Sequence, residues 1–96
     1  SQATSKLDRE EIKSFLMYSN SIFRQAFMKN IGLNQYVTFQ SSSNFNFEGF
    51  SKYINANNIE NISNLVEDCH YNIKRNANSK MVMTSLAFEL TKLIHT

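Results

Sequence analysis

Ninety-six residues with a formal charge of +2, 42% apolar side chains and one cysteine bound what this chain can be. A domain of that size buries only roughly 60–65% of its unfolded surface, so it supports one modest core. The 10 cations are scattered, which excludes the concentrated basic face of a dedicated nucleic-acid domain, and the lone Cys69 excludes an internal disulfide framework.

No apolar run approaches the roughly 18–20 residues that a membrane helix needs, and no signal-peptide pattern is present. A single cysteine fits a reducing compartment, so a cytoplasmic location is expected. The chain opens Ser1-Gln2-Ala3-Thr4-Ser5 without an initiator Met. The expectation is one helical domain over 1–96, excised from the C-terminal part of a larger protein, with 1–7 disordered or derived from a tag. Proline is absent and glycine occurs twice, whereas asparagine occurs 13 times. Asn caps helices and tolerates left-handed backbone, so it can supply the punctuation.

The first helix is predicted over 8–31. Asp8 with Glu11 reads as a capping-box variant, and Ile12, Phe15, Leu16, Ile22, Phe23, Ala26 and Phe27 recur at helical spacing. Gly32 stands where a left-handed terminator belongs, with Leu33 in reach of Met28. Residues 33–46 read as a loop, long for a compact domain, with Tyr36 and Phe39 as its pins and Ser41 to Asn44 facing solvent.

A second, short helix is predicted over 47–55, capped by Asn46 and stapled by Phe45 onto Phe50. Gly49 weakens it by about 1 kcal/mol relative to Ala, so packing of Phe47, Phe50, Tyr53 and Ile54 must hold it. The third helix is predicted over 59–76, capped by Asn58, with Ile59, Ile62, Val66, Cys69, Ile73 and Ala77 on one stripe. Glu60 near its start and Lys74 and Arg75 near its end suit the helix dipole.

The fourth helix is predicted over 80–94, capped by Ser79 or Asn78, with a wide apolar face of Val82, Met83, Leu86, Ala87, Leu90, Leu93 and Ile94. At about 100° per residue, Met81 and Phe88 project to the other side. A helix apolar on two sides is either central or covered by a partner. The sum is an all-α fold, a small antiparallel bundle of about four helices.

Chemistry is sparse. Asp68, Cys69 and His70 are neighbours in sequence, but neighbours on a helix do not converge. Cys69 lies on the buried stripe, where a thiol is inert. His70 and His95 stand without C-x-x-C, H-x-x-x-H or paired-carboxylate company, and Gly32 and Gly49 form no phosphate loop. No catalytic residue, cofactor, metal or small-molecule substrate is therefore expected, and the chain reads as a non-enzyme. Surface is more informative. Met17, Arg24 and Met28 fall opposite the core stripe of the first helix. Tyr71, one turn before Arg75, can stack with it. With Met81 and Phe88 these residues form the candidate interface.

The run Tyr71-Asn72-Ile73-Lys74-Arg75-Asn76-Ala77-Asn78-Ser79-Lys80-Met81 ends one helix, turns, and starts an apolar one. It resembles the last helix pair of bacterial DNA polymerase III clamp-loader subunits, most closely the delta-prime family, with Asn76-Ala77-Asn78 also similar to gamma and tau. Ser21-Ile22-Phe23-Arg24-Gln25-Ala26-Phe27 before a Gly-ended helix adds to the likeness, which covers roughly residues 14–95. The Ser/Asn-rich loop at 40–46 departs from it. The resemblance implies a collar domain that joins subunits and carries the ATPase-like modules that load the sliding clamp. It implies delta-type and gamma/tau-type partners, DNA reached only through the complex, and no membrane. The ATPase-like and zinc-binding modules of that family would precede Ser1. The alternative reading is a small helical nucleic-acid-binding module using the turn between the third and fourth helices. Met81, Thr84, Ser85, Phe88 and Thr91 suit a DNA groove poorly, which argues against it.

Overall fold

The computed structural model describes residues 2–39, 45–75 and 78–95, with side chains from Arg9 onward. The architecture is all-α, as expected. Helix α1 spans Gln2–Asn30, a 3-10 turn covers Asn34–Tyr36, and α2 spans Phe47–Ser51. Helix α3 spans Ile59–Lys74 and α4 spans Ser79–Ile94.

Helix α1 starts at Gln2, well ahead of the expected Asp8. No Gly or Pro interrupts the residues before Asp8, so helix propagates through them and Asp8 lies inside it rather than capping it. The far end follows the expected plan. Gly32 has φ 87°, the Gly32 amide donates to the Lys29 carbonyl at 3.2 Å, and the Leu33 amide donates to the Met28 carbonyl at 2.9 Å. That pair of bonds is a Schellman ending.

The following loop is held by Phe39, as expected, and by Gln25, which the spacing did not single out. Gln25 Oε1 accepts from the amides of Thr38 at 2.9 Å and Phe39 at 2.7 Å. Phe39 packs on Phe47 with centroids 4.8 Å apart, whereas Tyr36 stays exposed and pins nothing. The Ser41–Asn44 expectation lies outside the described residues, as does Ala77 on the α3 stripe.

Helix α2 keeps its expected start and ends early. Asn46 Oδ1 accepts from the Gly49 amide at 3.0 Å, and Phe45 lies 5.5 Å from Phe50 across the cap. After Ser51 the backbone tightens: the Tyr53 amide donates to the Phe50 carbonyl at 3.0 Å, and the Ile54 amide to the Ser51 carbonyl at 3.1 Å. These shorter-span bonds turn Ile54 into the core, where it is buried. Gly49 has a positive reason to be there: a Cβ would come 2.6 Å from Asn46 Nδ2 and displace the cap.

Helix α3 is the centre. Ser63 Oγ donates to Asn20 Oδ1 at 3.2 Å, and Val66 and His70 share a groove with Leu16 and Met17, so α1 runs antiparallel to α3. On the other flank, Cys69 Sγ lies 3.9 Å from Met83 Sδ, and Asn58 Nδ2 donates to the Leu93 carbonyl at 3.2 Å. Helix α4 is thus antiparallel to α3 as well. Helix α2 rests on α1, and the extensive contacts of α4 are with α3. The core comprises Leu16, Ala26, Phe47, Ile54, Ile62, Val66, Cys69, Ile73 and Leu86.

Phe15, expected on the core stripe, is mostly exposed, and Ala87 is exposed too. In both helices the apolar arc is wider than the surface of the neighbour that covers it. Asn58 also departs from expectation. It caps nothing on α3. Instead it is buried, accepts from the Asn55 amide at 2.9 Å, and donates to the carbonyls of Tyr53 at 2.8 Å and Leu93. One side chain ties the α2–α3 turn to the last turn of α4.

Leu86→Ala should lower the free energy of unfolding by roughly 2–5 kcal/mol in urea titration, because it opens a cavity in the α3–α4 contact. Asn58→Ala should cost roughly 2–4 kcal/mol, more than a simple cap, because it strands several buried partners. In Gly49→Ala, the usual helix gain of about 1 kcal/mol should vanish, since the Asn46 cap is worth about as much. A clear rise in melting temperature would contradict that.

Candidate functional site

Two grooves flank α3. One, of about 250 Å³, runs between α3 and α4, with Leu65, Asp68, Cys69 and Asn72 on one side and Met81, Val82, Ser85 and Leu86 on the other. The second, of about 180 Å³, runs between α1 and α3 and is lined by Leu16, Met17, Asn20, Val66, Glu67 and His70. The exposed ridge of α3 stands between them.

The candidate interface residues distribute over this face in pairs. Met17 is 66% exposed on the wall of the α1–α3 groove, and Arg24 follows two turns later on the same line, also exposed. Tyr71 is 56% exposed on α3, with the Arg75 guanidinium 5.4 Å from its ring centroid. That stack was expected from the one-turn spacing and suits a cation–π contact. Met81 is 70% exposed on the wall of the α3–α4 groove. Phe88, two turns on, is 64% exposed, with Lys92 Nζ 5.1 Å from its centroid. Met28 stands apart: it is half-buried where α1 ends and does not share the exposure of the other six.

A third surface takes in residues expected in the core. Phe15, Ile22 and Phe23 from the expected stripe of α1, with Tyr18, Ser19, Phe39, Phe45 and Phe50, line an open aromatic groove of about 390 Å³. Tyr18 was not singled out in the sequence, whereas the helical spacing of Phe15, Ile22 and Phe23 was visible there. Their partial exposure was not, because it depends on α2 and the loop covering only part of the arc.

The Asp68-Cys69-His70 run does not form a reactive group. Cys69 lines the α3–α4 groove and His70 the α1–α3 groove, so adjacent residues open on opposite flanks of one helix. Burial pushes the Cys69 thiol above its ordinary pKa. Among the described residues, no three His, Cys, Asp or Glu side chains gather as a metal site requires, and no helix is long and apolar enough to cross a membrane. No protein-family model, curated protein or solved structure matches the chain.

Alkylation reports on Cys69 directly. The thiolate is the nucleophile, so a thiol that is buried and raised in pKa should react with iodoacetamide far more slowly than free cysteine at neutral pH. Its rate should climb only in alkaline solution or on unfolding. Reaction at the free-cysteine rate at pH 7 would show an open, activated thiol instead.

Proposed function

We propose that this chain is a subunit-assembly domain of the kind that forms the collar of bacterial DNA polymerase III clamp loaders. One observation carries the reading. Helix α4 is held on its inner side by α3 and presents Met81 and Phe88 on the outer side, where none of the described residues buries them. A helix apolar on both sides is central or covered by a partner, and α4 packs extensively on α3 alone, which supports a covering partner. The likeness of Tyr71–Met81 and Ser21–Phe27 to delta-prime sequences supplies the identity of the machine. On this reading the neighbours are delta-type and gamma/tau-type subunits, DNA is reached through the complex, and the chain itself performs no catalysis.

Reconstitution with those subunits, followed by size exclusion, tests the reading. A large aromatic at the centre of an interface is typically worth about 2 kcal/mol or more. Phe88→Ala with Met81→Ala should therefore weaken assembly by about thirtyfold. The same variant should melt within about 0.5 kcal/mol of the parent, as surface substitutions do. Undiminished assembly would overturn the proposal. A stability loss of several kcal/mol would show that these side chains are core.

A further inference from the structure

We infer that the face made by α3 and its two flanking grooves docks a basic amphipathic helix of a partner protein. This rests on the assembly reading above and adds the chemistry of the occupant.

Each groove has an apolar floor: Leu65 and Leu86 on the α4 side, Leu16 and Val66 on the α1 side. Each outer wall ends in an exposed methionine, Met81 or Met17. Unbranched thioethers adapt to an incoming side chain more readily than branched residues do. Grooves between packed helices accept side chains at three- and four-residue spacing, which is the pattern of another helix.

The ridge between the grooves chooses the charge. Glu67 lines one groove and Asp68 the other, and Glu60 precedes Glu67 by two turns on the same line of α3. All three are exposed. Among the described residues none of them has an ion-pair partner. Arg75, stacked on Tyr71 at the C-terminal end of the helix, closes the acidic stretch. Lys74, two turns after Glu67, and Arg75 make the C-terminal end of the ridge basic, so the acidic stretch runs from Glu60 to Asp68. Each groove lining carries one carboxylate and no Lys or Arg, and the complement of that stretch is cationic. Aliphatic side chains of the partner enter the grooves while its Lys or Arg side chains meet Glu67 and Asp68. Like charges placed there would be rejected. The aromatic groove on the far edge of α1 has no charged lining and makes no such choice.

The probe is a fluorescent helical peptide of about 16 residues, roughly 24 Å long. It carries Leu along one face and Lys on both flanks; a control peptide carries Glu in place of Lys. Anisotropy titrations use the 96-residue chain. The Lys peptide should bind at least about tenfold tighter than the Glu peptide. The preference should shrink as salt rises from about 50 mM to about 500 mM. The largest amide shifts in nuclear magnetic resonance spectra should fall between Glu60 and Asn72 and at Met17 and Met81. Glu67→Gln with Asp68→Asn should abolish the preference without lowering the melting temperature. Equal affinities, no binding of either peptide, or shifts centred on Phe15 and Tyr18 would overturn the inference. The two proposals fail separately. Lys-peptide binding with intact assembly of the Phe88→Ala, Met81→Ala variant leaves the docking chemistry standing and removes the clamp-loader reading. Lost assembly with no peptide preference does the reverse.

Discussion

The stripe of Ile62, Val66, Cys69 and Ile73 along α3 is the contact on which both α1 and α4 depend. Burying an aliphatic side chain of this size contributes roughly 1.5–3 kcal/mol. The stripe therefore outweighs the exposed ion pairs Glu10–Lys13 and Glu89–Lys92, which are of the kind worth about 0–1 kcal/mol. Because α3 is shared, its opposite face becomes the one surface that touches both grooves. Fold and candidate site are two sides of one helix.

Caps that act locally could be read from the sequence. Asn46 and Asn78 each accept from an amide three residues on, at 3.0 Å and 3.1 Å. Such a bond needs only the residue type and its place before an apolar run. Asn58 had the same appearance and acts otherwise, because its partners include a carbonyl 35 residues away. Local spacing cannot report a bond of that range. The start of α1 was misplaced for a related reason: Asp8 looks like a cap, but nothing upstream stops the helix.

On α4, which packs extensively on α3 alone, exposure was legible for Met81 and Phe88 but not for Ala87. The outward projection of Met81 and Phe88 follows from angle alone once α4 packs on α3. Met17 and Arg24 fall correctly by the same rule. Phe15 and Met28 did not, since their burial depends on α2, the loop and the end of α1, whose positions no periodicity encodes. The grooves themselves were illegible, because a groove exists only between two elements. That Glu67 and Asp68 line different grooves depends on which flank of α3 each neighbour occupies.

The bond from Asn58 to the Leu93 carbonyl has a consequence for the register of α4. The inner face of that helix is apolar at Val82, Met83, Leu86, Leu90, Leu93 and Ile94, with a repeat close to one turn. Apolar side chains are interchangeable to first approximation, so sliding α4 along α3 by one turn, about 5.4 Å, would cost it few contacts. A hydrogen bond is not interchangeable in that way. Asn58 is buried, and its amide meets one carbonyl of α4, one of the terminal carbonyls that an α-helix leaves unsatisfied. A slipped helix would take the Leu93 carbonyl out of reach and leave the Asn58 amide only its bond to the Tyr53 carbonyl. The polar pin thus acts as a vernier, selecting one longitudinal setting among several that hydrophobic contact alone would tolerate, and so fixing where along the bundle Met81 and Phe88 are displayed.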